Sequence, residues 1–326
     1  GGDGGDVMYS IDNIEVVNTT VAGLTLAGTD GALIGTVDGT VAGDVNGTIL
    51  DDNFGNGVLV QLDNATGTST FTGLEASGNG TMGMDLDGVK IVAENMSNYT
   101  VNIFDSTIDG AMDDGIDSSA DESVLVLNVD PTSIVDSVDN ALEFTASNDS
   151  LFTANFVEVD MADSLNDAIN GMVLSSSNAT LNFAQFDASG STGDGVDVVV
   201  QDGSSLTAIF DNSDDTTTFL DTTNGFSNSD SSAINVDVSD DSNATLIFTD
   251  INADNLAADG GVNLIASMNS QISSSWTNGS ISDGDATGVT LDADGAGSGI
   301  VATFTNVAID RNAGDGIDAS LTGGNA

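Results

Sequence analysis

The sequence predicts an all-β protein, a single domain folded as a parallel β-helix (β-solenoid) of about eleven coils, with a coil length of about 27 residues. Three observations lead to this prediction. A short pattern recurs along the chain, apolar and polar residues alternate within each copy, and segments rich in Gly, Asp, Asn and Ser separate the copies. A fixed period of roughly 20–50 residues is typical of a solenoid, in which each repeat buries its apolar side against its neighbours.

The recurring pattern is a small residue, an aliphatic residue, a polar residue and then apolar residues at alternate positions. Examples are GVDVVV at Gly195 and AINVDV at Ala233. The median spacing between the first residues of the eleven copies is about 27 residues, which lies within the solenoid range. The copies begin at Ala32, Gly57, Gly83, Gly115, Ala141, Ala168, Gly195, Ala233, Gly261, Gly288 and Gly316.

Each copy predicts a half-buried β-strand. Apolar side chains at alternate positions, such as Val196, Val198 and Val200, lie on one side of a strand. A second strand is predicted before each copy, as in TLNFAQF at 180–186. The apolar positions of successive coils then stack into one continuous core. The aromatic residues predicted in this core are Phe183, Phe186, Phe210, Phe248, Trp276 and Phe304.

The repeat predicts one domain over residues 1–326, with a looser N-terminal segment at 1–24. Two of the spacings are longer than the others, at about 32 and about 38 residues. We therefore expect inserted loops near 88–110 and 211–230. Since stacked strands lie about 4.8 Å apart, eleven coils predict a rod about 50 Å long.

The chain is strongly acidic, with 52 Asp and Glu, 2 Lys and Arg, and a net charge of -50 at pH 7. Only Lys90 and Arg311 could neutralise phosphate groups, so we expect no nucleic-acid partner. An anionic membrane surface would repel the chain, and no apolar stretch is long enough to predict a membrane-spanning helix. The absence of His and Cys excludes His-dependent triads, thiolate metal sites and disulfides. This composition favours an extracellular or cell-surface location.

Stacking of the coils predicts two columns of acidic residues. One column precedes the small residue of each copy, and the other lies two positions after it. Stacked carboxylates repel by roughly 1 kcal/mol per pair in water, and Ca²⁺ binds roughly six to eight oxygen ligands. We therefore expect Ca²⁺ as a cofactor; the alternative is a solvated acidic surface with diffuse counterions. The predicted ligands are Asp114, Asp117, Glu143, Asp194 and Asp197.

Several N-x-S/T sequons lie just before a predicted strand of the repeat. They predict N-glycosylation, which requires an exterior location. The alternative interpretation is a turn preference for Asn, followed by a strand-forming residue. The predicted glycosylation sites are Asn64, Asn98, Asn148, Asn178 and Asn243.

With its DGID and GDGVD segments at 114–117 and 193–197, the chain resembles the right-handed parallel β-helix group. That group includes extracellular adhesins, filamentous surface proteins and pectate-lyase-like glycan enzymes, and the right-handedness is implied by the resemblance alone. Its hydrolases use clustered Asp residues, which Asp113 and Asp114 match superficially. Their pattern also carries a His and an Arg-Lys pair, which this chain lacks. We therefore expect no enzymatic activity and no catalytic residue.

The expected function is that of an extracellular structural protein, a subunit of a surface filament, stalk or matrix. The last copy, at Gly316, would leave backbone donors and acceptors open to pairing. We expect either copies stacked head to tail or flanking repeats of a longer chain as the partner. One alternative is an adhesin segment whose inserted loops bind a glycan or a surface partner. The other is a glycan-active β-helix enzyme that uses Asp113 or Asp114.

Overall fold

In the part of the chain that the structure describes, every regular element is a β-strand. The strands form a single-domain parallel β-solenoid of about ten turns, with about 28 residues per turn, which confirms the predicted fold class. None of the described residues belongs to a helix that is long and apolar enough to cross a membrane. The structure is a computed structural model that describes residues 6–12, 14–16, 19, 22–38, 48–80, 86–213, 225–254, 256 and 260–323.

The strands are numbered in chain order. They are β1 (Val7–Asp12), β2 (Leu24–Thr29), β3 (Ala32–Asp38), β4 (Thr48–Ile49), β5 (Val58–Asp63), β6 (Thr66–Thr72), β7 (Leu74–Ser77), β8 (Val89–Glu94), β9 (Asn98–Asp109), β10 (Ile116–Asp121), β11 (Val124–Val135), β12 (Leu142–Ser147), β13 (Leu151–Asp160), β14 (Ile169–Val173), β15 (Asn178–Asp187), β16 (Val196–Val200), β17 (Ser205–Asp211), β18 (Ile234–Val238), β19 (Asn243–Asp254), β20 (Val262–Ser267), β21 (Gln271–Ser282), β22 (Val289–Asp294), β23 (Gly299–Thr305), β24 (Ala308–Asp310) and β25 (Ile317–Thr322).

The strands form two sheets, which we call the short-strand sheet and the long-strand sheet. The short-strand sheet has the order β2-β5-β8-β10-β12-β14-β16-β18-β20-β22-β25. The long-strand sheet follows β1-β3-β6-β9-β11-β13-β15-β17-β19-β21-β23, with β4, β7 and β24 beside that path. Pairing is parallel and joins equivalent residues one turn apart, as where Val196 lies between Ile169 and Ile234.

Most of the long strands bend at a single residue with a left-handed backbone. Examples are Asp105, Glu158 and Asp250, with φ of 49°, 55° and 54°. Asp and Asn adopt this conformation at lower cost than most other residues. The bend divides each long strand into two straight segments, which helps the chain to close a turn. The need for such positions in every turn is one physical reason for the high Asp and Asn content.

An aromatic stack runs through the core beneath the long-strand sheet. Five successive turns contribute rings whose centroids lie 4.4–5.3 Å apart, from Phe156, Phe183, Phe210, Phe248 and Trp276. All the predicted aromatic core residues are fully buried except Phe304, which packs half-buried against the core. Phe304 lies on β23, the last strand on the main path of the long-strand sheet among the described residues.

Two of the eleven predicted copies have the wrong position. Ala32 begins β3 in the long-strand sheet, whereas the first short strand is β2, which follows Gly23. Gly83 lies outside the described residues, and the short strand of that turn is β8, which follows Gly88. The segments GMDLDG and GVKIVA both fit the pattern, so the pattern alone did not separate them.

The inserted loop predicted near 88–110 is wrong, because β8 and β9 occupy that range. The additional residues of this turn come earlier. Ser77 and Val89 are further apart along the chain than the residues paired with them one turn later, Asp109 and Ile116. Placing a copy at Gly83 rather than Gly88 shifted the predicted insertion past its true position.

Two other predicted boundaries fall partly outside the described residues. Of the loop predicted at 211–230, residues 214–224 lie outside them, and Asp211 is the last residue of β17. In the segment predicted to be looser, 1–24, residues Val7–Asp12 form β1. This strand pairs with β3 along its full length, so that part of the segment belongs to the solenoid.

Candidate cation site in the acidic columns

The first acidic column forms a ladder along the rod, which we call the buried ladder. A side-chain oxygen of each member accepts a hydrogen bond from the backbone N–H of the equivalent residue one turn later, at 2.6–3.3 Å. A buried N–H needs such an acceptor, so Asp or Asn at this position has a structural role whether or not a cation binds. The buried ladder consists of Asn56, Asp87, Asp114, Asn140, Asp167 and Asp194.

The second acidic column lies on the outward side of the short-strand sheet and contains a Lys. Strand pairing aligns Lys90 with Asp117 and then Glu143. Lys90 Nζ lies 2.6 Å from Asp117 Oδ2 and 3.3 Å from Asp87 Oδ2. The side chain of Asp87 is fully buried, so Lys90 provides a positive charge to a carboxylate that has lost its hydration.

Asp114 and Glu143 share a hydrogen bond between their carboxyl groups. Burial, followed by this hydrogen bond, raises the pKa of Asp114 to about 10. Asp114 therefore keeps its proton at neutral pH and donates this hydrogen bond. Asp114 Oδ1 also accepts hydrogen bonds from the backbone N and the Nδ2 of Asn140, at 2.8 and 3.0 Å. A cation bound at this pair would have to displace the proton.

Three carboxyl groups come together in and beside the buried ladder. Asp87, Asp113 and Asp114 each offer an oxygen, and these oxygens lie within 4.8 Å of one another. Only Asp114 was among the predicted ligands. Asp87 was missed because the repeat was placed at Gly83, whereas the correct start at Gly88 puts Asp87 in the first column. Since Lys90 contacts Asp87, this cluster attracts a divalent cation less strongly than three unpaired carboxylates would.

The five predicted Ca²⁺ ligands form two groups. Asp114, Asp117 and Glu143 lie on two adjacent turns, whereas Asp194 and Asp197 lie at the start of β16, three turns from Asp114 and about 14 Å along the rod. Burial raises the pKa of Asp194 to about 6 and is also the main cause of the raised pKa of Asp197. A bound cation would stabilise the ionised form of both carboxyl groups. Ca²⁺ binding stays a prediction for Asp114, Asp117 and Glu143 and, separately, for Asp194 and Asp197.

The five predicted glycosylation sites all have exposed side chains. Asn98, Asn178 and Asn243 belong to one column at the start of the long strands. Asn64 and Asn148 lie in turns with φ of 49° and 56°, and each amide donates a hydrogen bond to an Asp one turn earlier. The left-handed backbone is a structural reason for Asn at these two positions. Glycosylation stays a prediction for all five.

The alternative of catalysis at Asp113 and Asp114 meets a geometric obstacle. Glycoside hydrolysis by two carboxyl groups needs both of them beside the scissile bond. Asp114 is only 2% exposed and accepts two hydrogen bonds within the buried ladder. This environment favours a structural role for Asp114.

Comparison with protein families, curated proteins and solved structures gave no match to this chain.

Proposed function

We propose that the chain is a non-enzymatic structural protein of the cell exterior, a β-solenoid subunit of a surface filament, stalk or matrix. Its partner in this proposal is a second copy, stacked head to tail along the rod axis. The fold supports such a role, because each turn is stabilised by its neighbours and the core runs the length of the solenoid. Flanking repeats of a longer chain would extend the rod by the same contacts.

The observation that carries the proposal is the last described turn. Ile317 and Leu321 are 50% and 62% exposed, although they continue columns whose inner members, such as Val289 and Ala293, are buried. Among the described residues, β25 pairs with β22 alone. A parallel strand of a second copy would pair with the other edge of β25 and cover both apolar side chains.

The first described turn offers the complementary edge. In the described residues, β1 pairs with β3 alone and β2 pairs with β5 alone. Val7 is 49% exposed and Leu24 is half-buried at this end. Contact between unlike ends of identical subunits is heterologous and repeats without closing, which produces a filament.

Charge opposes this assembly, and Ca²⁺ or salt relieves the repulsion in our proposal. Each copy carries a net charge of -50. A bound divalent cation at Asp114, Asp117 and Glu143, or at Asp194 and Asp197, would lower that charge, and dissolved salt would screen it.

The experiment is light scattering of the purified chain in millimolar Ca²⁺ and again with chelator. We expect large polymers in Ca²⁺ that fall to the 32.7 kDa monomer in chelator. Leu321→Glu should block assembly, because it places a charge at the stacking edge. Met268→Glu is the matched control, since Met268 is 63% exposed but lies in a turn away from the ends. A monodisperse monomer under both conditions would contradict head-to-tail assembly.

The adhesin alternative loses one of its two predicted binding loops, because strands occupy 88–110. Deletion of 214–224 that abolished attachment to a surface but left the fold intact would favour it. The enzyme alternative would be favoured by turnover of a neutral polysaccharide that is lost in Asp114→Asn.

A further inference from the structure

One side of the solenoid carries no charge. The first straight segments of ten long strands place 30 side chains outward in three adjacent columns, and none is charged. In the whole chain 17% of residues are charged, so about five charges would be expected among 30 positions. We call this surface the neutral face. Its positions are Ala32, Ile34, Thr36, Thr66, Thr68, Thr70, Asn98, Thr100, Asn102, Val124, Val126, Asn128, Leu151, Thr153, Asn155, Asn178, Thr180, Asn182, Ser205, Thr207, Ile209, Asn243, Thr245, Ile247, Gln271, Ser273, Ser275, Gly299, Val301 and Thr303.

The absence of charge ends at the borders of this surface. The next outward column of the same strands includes Asp130 and Asp211. The outward side of the short-strand sheet carries Asp117, Glu143 and Asp197. The distribution of charge is therefore segregated by side of the rod. A low content of charged residues distinguishes the centre of a binding surface from ordinary protein surface.

The column of the neutral face that borders the charged column is ordered by a ladder of amides. The Nδ2 groups of Asn128, Asn155 and Asn182 each donate to the Oδ1 of the Asn one turn earlier, at 2.7–2.8 Å. An Asn amide has two N–H donors and two acceptor lone pairs, so each inner member keeps one of each for a ligand. Thr153 and Thr180 add hydroxyl groups two residues before Asn155 and Asn182. Because the amides are already ordered, a ligand does not have to order them.

We infer that the neutral face binds an uncharged polysaccharide that lies extended along the rod. Sugar hydroxyl groups can pair with the amide and hydroxyl groups of the neutral face that the ladder leaves available. One sugar unit is about as long as the rise of one turn along the rod, about 4.8 Å. An anionic polymer would be repelled by the net charge of -50, and a cationic one would prefer the acidic sides. A second copy packed side by side on this face would bring another 50 negative charges close along the length of the rod, whereas head-to-tail stacking brings only the ends together. A neutral polymer carries none of these costs.

The dimensions of the neutral face predict how affinity depends on ligand length. Ten strands about 4.8 Å apart and five residues of about 3.3 Å each give a surface about 45 Å long and about 16 Å wide. Such a surface spans roughly ten sugar units. Because each unit adds contacts to an ordered array, we expect affinity to rise with chain length up to about that number.

The experiment measures depletion of the full chain from solution by microcrystalline cellulose and by chitin, with soluble mannan as a third neutral probe and alginate as the anionic control. We expect binding to at least one neutral probe and none to alginate. Oligosaccharides of the neutral polymer that binds should compete more strongly as they lengthen. Leu321→Glu is measured in parallel, because binding by this variant separates the result from head-to-tail assembly.

Two substitutions in one turn test the location. Thr153→Asp places a charge on the neutral face and should weaken binding about tenfold or more, since the charge loses hydration against a neutral ligand. Thr145→Asp adds the same charge to the outward side of β12 and should bind like the parent chain. Thr153→Ser keeps the hydroxyl group and should retain binding. Thermal melting of all three variants verifies that each is folded.

Four results would overturn the inference. The first is no binding to any neutral probe, and the second is an equal loss of binding in Thr153→Asp and Thr145→Asp. The third is side-by-side pairing of rods that Thr153→Asp abolishes, and the fourth is shaping of ice crystals that Thr153→Asp abolishes. The third result would assign the neutral face to a second copy, and the fourth would assign it to an ordered water lattice.

Discussion

The buried ladder and the asparagine ladder of the neutral face stack side chains at the same one-turn spacing, but they obtain hydrogen-bond donors differently. An Asn such as Asn155 both donates and accepts, so its ladder needs no outside donor. An ionised Asp only accepts. The acidic side therefore depends on backbone N–H groups, on Lys90 and on the proton that Asp114 retains. This difference makes the stability of the acidic side depend on pH and strongly on charge, whereas the stability of the neutral side depends on them much less.

The largest effect is expected from removing the ammonium group of Lys90. Lys90→Met leaves the buried Asp87 without its ion pair, and we expect a loss of about 3–5 kcal/mol in the free energy of unfolding. Urea denaturation at neutral pH measures it.

The other basic residue of the chain provides the control. Arg311 pairs with Asp283 and Asp310, but its side chain is 61% exposed. Exposed ion pairs contribute little, so we expect no measurable change from Arg311→Met. Equal stability of the two variants would show that Lys90 does not compensate a buried charge.

A second comparison replaces one amide by a carboxylate in each ladder. Asn140 Nδ2 donates to Asp114 Oδ1, and its Oδ1 accepts from the backbone of Asp167. Asn140→Asp removes that donor and adds a buried carboxyl group between those of Asp114 and Asp167, so we expect a loss of about 3 kcal/mol in the free energy of unfolding.

Asn155→Asp makes the same change on the neutral face. Asn155 is half-buried, and the new carboxylate still accepts the hydrogen bond from Asn182. We expect a loss of about 1 kcal/mol, from the bond to Asn128. The urea midpoints of Asn140→Asp and Asn155→Asp measure the two losses of stability. A larger loss in Asn155→Asp would contradict our inference that the acidic side is the more sensitive to an added charge.

The sequence predicts most of the fold because its periodic signal is direct. Alternation at Val196, Val198 and Val200 identifies a strand, and the regular repetition of that alternation along the chain identifies the stacking. The error at Gly83 arose because GMDLDG and GVKIVA obey the same pattern. The two differ in the pairing partners of their residues, and pairing is a property of the assembled turns.

The candidate sites were harder to predict than the fold. Misplacing one repeat removed Asp87 and Lys90 from the acidic columns, and with them the internal ion pair. The neutral face has a visible sequence signal in the Thr-x-Asn segments at Thr100, Thr153 and Thr180. The informative feature is the lack of charged residues at the outward positions of the long strands. It becomes apparent only when the outward residues of several turns are aligned.

The last prediction concerns pH and follows from Asp194, whose pKa burial raises to about 6. The folded state holds this proton more tightly than the unfolded chain, where an Asp has a pKa of about 3.9. Its contribution to stability is therefore fully present below about pH 4 and is lost as the pH rises through 6. We expect the urea midpoint of the parent chain to fall over this interval, and the fall to be smaller in Asp194→Asn. Asp283→Asn is the control, because Arg311 lowers the pKa of the exposed Asp283 and so places its titration below this interval; this variant should lose as much as the parent chain. A parent chain that became more stable from pH 4 to pH 6 would show that its acidic side is not stabilised by retained protons.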